Sequence, residues 1–171
     1  AKLRKKRLLR LVQVKEPLMQ PLAANECWSM DFMSDSLMDG SKLRVLNVID
    51  DYNRQYLGFD IGRSLPAPRV TRALDEIIDF HSKPKRIRID NGPEYTSHHM
   101  QLWAKERGIE LQFIQPGKPT QNSYIERFNR TYRTEVLDAY LFTSMQEIHN
   151  VTEAFQYKYN HFRPHCSQND M

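Results

Sequence analysis

Three carboxylates carry the chemistry this chain can do. Asp90 lies in Arg88-Ile-Asp-Asn-Gly-Pro-Glu-Tyr-Thr96 and Glu126 in Gln121-Asn-Ser-Tyr-Ile-Glu-Arg-Phe-Asn-Arg130, with 35 residues between them. Asp31, in Trp28-Ser-Met-Asp-Phe32, places a third acid inside an apolar run. Hard divalent cations prefer oxygen ligands, and a pair of them clamps the attacking and leaving oxygens of a phosphoryl transfer. Carboxylates gathered at one point repel, and a buried one without a partner is costly or shifts its pKa upward. A bridging metal gives the three a reason to meet.

Each acid also has an ordinary reading. Asp90-Asn91-Gly92 is a turn signal. At about 100° per residue on a helix, Glu126 borders the apolar stripe Ile125, Phe128, Tyr132 and Val136, with Asn129, Arg130 and Arg133 beside it. That is either a surface arrangement of opposite charges or a metal ligand next to phosphate-binding groups. The preceding stretch, Gln115 to Asn122, holds two prolines and a glycine and reads as a loop. Lys118, Gln121, Asn122 and Tyr124 are its candidates for touching a DNA backbone, or are ordinary solvent-facing loop residues. Asp50-Asp51, at a strand end, reads as structural, and Trp28 and Trp103 read as core.

The elements that must position these acids follow from periodicity. Trp28–Met33, Leu43–Ile49 and Tyr56–Ile61 read as three short strands joined by tight turns at Asp39-Gly40 and Asp51–Asn53, an antiparallel meander. A helix then opens on Pro66 and Pro68, shows Val70, Leu74, Ile77 and Ile78 on one face, and ends at Lys83-Pro84. A fourth strand, Arg86–Ile89, runs straight into Asp90. A second helix, capped by Thr96 or Ser97 and closed by Gly108, leads to a fifth strand, Ile109–Ile114. The helix bearing Glu126 and a last one over Ser144–Tyr159 complete the chain. Two of the connections are helical crossovers, so the fold class is α/β: a five-stranded mixed sheet, three antiparallel strands then two joined by helical crossovers, flanked by helices.

At 171 residues the chain suits one domain. Its net charge of +4 is unevenly spread, because residues 1–15 hold seven bases and no acid. A basic arm on a nearly balanced body suits nucleic-acid binding, and is equally a solvated tail. The two cysteines, Cys27 and Cys166, argue against a disulfide scaffold and for a reducing cytoplasm. Neither His98-His99 nor His161-x3-His165-Cys166 has the partner CxxC of a structural zinc site. No apolar run reaches membrane-spanning length, and no secretory signal is expected.

The matching stretches identify a family resemblance. Cys27-Trp-Ser-Met-Asp-Phe-Met-Ser-Asp35, Val48-Ile-Asp-Asp-Tyr-Asn-Arg54, Asp90-Asn-Gly-Pro-Glu-Tyr-Thr-Ser97, Gln115-Pro-Gly-Lys-Pro-Thr-Gln-Asn122, Tyr124-Ile-Glu-Arg-Phe-Asn-Arg-Thr-Tyr-Arg133 and Tyr159-Asn-His-Phe-Arg-Pro-His165 resemble the catalytic core of an insertion-sequence transposase of the IS3 family, related to retroviral integrases. The resemblance implies a ribonuclease-H-like fold, with Asp31, Asp90 and Glu126 as a DDE triad. It implies two Mg²⁺ ions, replaceable by Mn²⁺, when DNA is bound, and metal-dependent strand cleavage and strand transfer during transposition. It further implies DNA contacts from the Glu126 helix, with Arg133 on a DNA-end phosphate. Partners would be transposon-end and target DNA and further copies of the chain, with no membrane and no small-molecule substrate, in the cytoplasm near the nucleoid. Domains are then a basic arm at 1–26, a catalytic core at 27–165 and an atypical tail at 166–171. Arg88-Ile89-Asp90 carries Ile where the family often has Ser, and Cys166–Met171 departs from the family's tail. A non-catalytic remnant that binds DNA or full-length transposase is the competing expectation.

Overall fold

The computed structural model describes residues 20–90, 97–114 and 122–162. Its strands are β1 (Cys27–Ser36), β2 (Lys42–Asp50), β3 (Tyr56–Gly62), β4 (Arg86–Ile89) and β5 (Glu110–Phe113). Helix α1 (Ala67–His81) joins β3 to β4, and α2 (His98–Arg107) joins β4 to β5. Helix α3 (Ser123–Tyr132) runs into a π-helical turn, Arg133–Leu137, before α4 (Met145–Phe162).

The sheet has the order β3-β2-β1-β4-β5. β1 pairs antiparallel with β2, and β2 with β3, while β4 lies parallel to both β1 and β5. This is the expected mixed sheet, and it makes β1 the central strand. Both faces are covered, which is why β2 reads as an almost unbroken apolar run rather than an alternation. On one face Trp28, Met30, Leu46, Val48, Ile87 and Ile89 pack against α1 and α2. On the other, Met33, Val45, Ile49, Tyr56 and Ile61 meet Ile125, Phe128 and Tyr132 of α3 and Phe155 and Tyr159 of α4. Asp31 lies on β1 in phase with Met33, so it shares the α3 face.

Local chemistry sets the boundaries. Pro66 and Pro68 open α1, and Lys83-Pro84 follows its C-cap Ser82. Ser97, one of the two expected caps, accepts the Met100 N–H at 3.2 Å, and Gly108 closes α2 in the left-handed region at φ +67°. Asp75 ties the two helices by accepting the Trp103 indole N–H and the Arg107 Nε–H, each at 2.9 Å. Asn25 and Glu26 hold on to the sheet ahead of β1: the Asn25 N–H donates to Asp50 at 2.8 Å, and the Glu26 carbonyl accepts the Arg86 N–H.

One expectation needs correction. Ile125, Phe128, Tyr132 and Val136 are all buried, but they do not lie on one continuous α-helix. The Asp138 N–H reaches back to the Arg133 carbonyl at 2.7 Å, an extra residue per turn. That phase change buries Val136 and Leu137 together and leaves Arg133 against β1.

The α1 face is closely fitted at Gly58. A Cβ added there would stand 2.6 Å from both Cγ1 and Cδ1 of buried Ile77. Gly58→Ala is therefore expected to cost about 1–3 kcal/mol by overpacking, read as a lower urea midpoint at unchanged m-value.

Candidate metal and nucleic-acid site

The sheet register brings the first two acids together. Cys27, Trp28 and Ser29 of β1 pair with Arg86, Ile87 and Arg88 of β4. Asp31 lies two residues beyond Ser29 and Asp90 two beyond Arg88, immediately past the last residue of β4, so that the Asp90 charge acts on Asp31. Strand ends of this kind are where sheets with helical crossovers gather ligands. Glu126 enters from the first turn of α3, where its N–H bonds the Asn122 carbonyl at 3.2 Å. Asp90 and Glu126 are exposed at the mouth, and Asp31 is half-buried behind them.

Electrostatics links Asp31 to the other two acids. The Asp31 carboxyl is pushed up to about 6, first by burial, then by the Asp90 charge, with Glu126 adding to it. The Phe32 N–H on Oδ1 at 2.9 Å and the Asn129 amide on Oδ2 at 3.2 Å pull the other way. Among the described residues no group of three His, Cys, Asp or Glu side chains is drawn close enough to enclose a cation. The donor set nonetheless fits a hard divalent cation: all ligands are carboxylate oxygens, and the charge of the innermost is opposed by the other two.

The expected DNA contacts divide. Lys118 and Gln121 lie outside the described residues. Arg130 is exposed on α3. Tyr124 donates its O–H to Gln20 at 2.8 Å, and the Arg54 guanidinium lies over its ring, 3.3 Å from the centroid. Arg133 donates to the Ser34 carbonyl at 3.1 Å and stands near Asp35 and Asp138. Asn122 is buried at the N-terminus of α3, and its Oδ1 has no hydrogen-bond partner among the described residues. Asn129 is a correction: it is buried and turned inward, its amide spent on Asp31 and Asn47 instead of a surface contact. Its place at the edge of the apolar stripe, one turn after Glu126, is the physical reason.

Sequence reasoning passed over Asn47 and Arg88. Asn47 is fully buried on β2, directly across from Asp31 in the register. Its signal was a lone amide within the apolar run Val45-Leu-Asn-Val-Ile49. Arg88, also buried, pairs with Asp51 at 3.1 Å. Asp50 accepts the Asn25 and Tyr52 N–H groups, so both acids of that pair have the structural roles expected of them.

Comparisons with known proteins bear on this geometry. An integrase core domain model matches residues 21–119, and a second integrase core domain model matches residues 107–171. The insertion element IS407 uncharacterized 31.7 kDa protein of Burkholderia multivorans is 40% identical over 155 residues, covering 91% of this chain and 56% of the relative. The insertion element IS476 uncharacterized 39.2 kDa protein of Xanthomonas euvesicatoria is 38% identical, covering 97% of this chain and 48% of the relative. The chain thus spans about half the length of these relatives. Among solved structures, a chain of the simian T-cell lymphotropic virus intasome in complex with the PP2A regulatory subunit B56 gamma matches at TM-score 0.75 and 19% identity, over 88% of this chain and 54% of that one. The HTLV-2 integrase catalytic core domain in complex with magnesium matches at TM-score 0.67 and 16% identity, over 83% of this chain and 89% of that one. At such identities the likeness establishes the ribonuclease-H-like fold. Among the described residues no helix is long and apolar enough to cross a membrane. The chain belongs to the integrase core domain family, and over nearly its whole length it is similar to proteins of insertion elements.

Proposed function

We propose that this chain performs metal-dependent DNA strand cleavage and strand transfer for an insertion element, with Asp31, Asp90 and Glu126 as its catalytic carboxylates. The observation that supports the reading is the position of Asp31, half-buried on the central strand and acted on by the charges of both Asp90 and Glu126. Two Mg²⁺ ions, or Mn²⁺ in their place, would be held by the three side chains and supply Lewis-acid stabilisation and activation of the attacking oxygen. The protein's own part is to present the three carboxylates from the central strand, a strand end and a helix start. Tyr124 and Arg130 on the helix that carries Glu126, Arg133 in the turn after it, and Lys118 and Gln121 ahead of it in the sequence would follow the DNA backbone there. Arginine and lysine contacts of this sort give affinity without reading sequence. Transposon-end and target DNA are the substrates, and further copies of this chain are its partners in the assembly that joins them.

The test is cleavage of a labelled duplex carrying the element's end, in Mg²⁺ and in Mn²⁺. Wild type is expected to nick in either metal and to be silent in EDTA. Glu126→Gln, which removes one charge from an exposed position, is expected to keep the fold and lose the activity. Metal-independent cleavage, or full activity in Glu126→Gln, would overturn the assignment.

A further inference from the structure

Behind the carboxylates runs a line of buried side chains that ends on one of them. The Tyr56 O–H donates to Asn47 Oδ1 at 2.5 Å, Asn47 Nδ2 donates to Asn129 Oδ1 at 3.1 Å, and Asn129 Nδ2 donates to Asp31 Oδ2 at 3.2 Å. Tyr56 and Asn47 are fully buried and Asn129 nearly so. The line joins β3, β2, α3 and β1, four elements brought together only by the fold.

Resting on the function proposed above, we infer that Tyr56 and Asn47 are positioning residues: through Asn129 they fix the rotation of the Asp31 carboxylate so that its remaining lone pairs face Asp90 and Glu126.

The argument is one of direction. A side-chain amide has a donor end and an acceptor end, and either can face a given neighbour. An ionised carboxylate only accepts, so Asn129 must turn its NH₂ to Asp31 and its oxygen to Asn47. Asn47 must then turn its NH₂ to Asn129, and its own oxygen needs a donor. In this apolar interior the Tyr56 hydroxyl supplies it, and burial holds that phenol well above its usual range, so it keeps its proton. If either amide reversed, two acceptors would face each other, at the cost of an unsatisfied buried polar group. Asn47 Nδ2 also lies 3.6 Å from the Met33 sulfur, which suits a donor. The Phe32 N–H takes the other Asp31 oxygen. Both oxygens are thereby pinned from the protein side, one bond each, and the carboxylate plane cannot swing. Such outer contacts orient a ligand, and losing one typically costs about ten- to a hundredfold in metal affinity or activity.

A purely structural network would lower stability when broken and leave the folded protein's metal affinity alone. The discriminating measurement is therefore Mn²⁺ affinity of the 171-residue chain, from the electron paramagnetic resonance signal of free Mn²⁺ at protein concentrations and temperatures where every variant is folded. Asp31→Asn is the control for the underlying site. Expected are loss of tight binding in Asp31→Asn and about tenfold weaker binding in Asn47→Leu. Tyr56→Phe, which removes one oxygen and keeps the ring packed 4.5 Å from Phe128, should weaken binding in the same direction. The double variant Asn47→Leu with Asn129→Leu should bind no more weakly than Asn129→Leu alone, because the residues act in series. Should Asn47→Leu not fold, Tyr56→Phe decides. Wild-type affinity in the folded Tyr56→Phe and Asn47→Leu variants, with Asp31→Asn defective, overturns this inference and leaves the proposed function standing. Wild-type affinity in Asp31→Asn removes the site itself, and the inference falls with it.

Discussion

Asp31→Asn is expected to stabilise the metal-free protein at pH 7.5 while abolishing DNA cleavage. The two effects have one cause. Burial and the neighbouring Asp90 and Glu126 charges raise the Asp31 carboxyl from 3.8 to about 6, so the ionised form is disfavoured in the folded state. The folded protein therefore binds more protons than the unfolded chain between about pH 4 and 6. Its stability falls as pH rises through that window and is flat above it. At neutral pH the full penalty is present, amounting to about 1–2 kcal/mol once the half-exposed mouth is allowed for.

Asparagine removes that penalty and still offers one oxygen to Asn129 or to the Phe32 N–H, though not to both. Some gain is lost to the mismatched donor, but the sign should survive. Urea denaturation in EDTA should show a higher midpoint for the variant at pH 7.5, with the difference closing as pH falls toward 4. Added Mg²⁺ or Mn²⁺ should raise the wild-type midpoint and leave the variant unmoved, since only a protein that binds the ion is stabilised by it. A wild type whose stability ignores pH between 4 and 6, or a variant that gains from metal as wild type does, would sink the reading of Asp31 as a cation ligand. Sites built from mutually repelling groups commonly cost the fold stability.

The sheet and its crossovers were legible because their signals are local. Strand runs rich in Val, Ile and Leu, prolines at the mouth of α1 and Gly108 after α2 each act within a few residues. The positions of two of the acids were legible too, Asp31 within an apolar strand and Asp90 at a strand end. What stayed hidden depends on contacts distant in sequence. Asn129 sat at the margin of the apolar stripe, where periodicity cannot decide between surface and interior. Its inward turn requires Asn47, 82 residues away. Asn47 itself gave only the anomaly of an amide in a strand buried on both faces. The π-helical turn at Arg133 was invisible because Val136 keeps an α-helical phase with Tyr132, and only the Asp138 to Arg133 bond reveals the extra residue. Tyr56 read as an ordinary strand aromatic, because its ring is core and only its hydroxyl belongs to the polar line.

The second large effect lies one layer behind the acids, at Asp51. Its Oδ2 accepts the Arg88 guanidinium at 3.1 Å and the Ser29 hydroxyl at 2.8 Å, and the Cys27 thiol lies 3.5 Å away. The side chains of Arg88 and Asp51 are 4% and 1% exposed, so the pair is held out of water. Burial pushes the Asp51 carboxyl upward while Ser29 and Arg88 draw it down, the balance expected of a desolvated charge that needs its partners. Asp51→Ala removes the carboxylate that neutralises the buried Arg88 guanidinium, leaving it the uncharged Gln112 side-chain oxygen at 2.9 Å, and is expected to cost about 3–5 kcal/mol, a large part of an ordinary domain's stability. Joint replacement, Asp51→Leu with Arg88→Leu, removes both charges and should cost much less than the two single changes added together. The consequence reaches the site because Arg88 stands two residues before Asp90 at the end of β4, and Ser29 and Asp31 share one side of β1. A folded Asp51→Ala protein, held at low temperature, should therefore also bind Mn²⁺ more weakly, while the double variant recovers stability and metal affinity together. Urea midpoints and Mn²⁺ titrations on wild type, Asp51→Leu, Arg88→Leu and their double variant, with Asp51→Ala alongside, measure both. If single and double changes are additive in stability, Arg88 and Asp51 are not acting as a pair. Recovery of stability without recovery of metal affinity would mean that the charges themselves, beyond the packing they fix, hold β1 and β4 in register for Asp31 and Asp90.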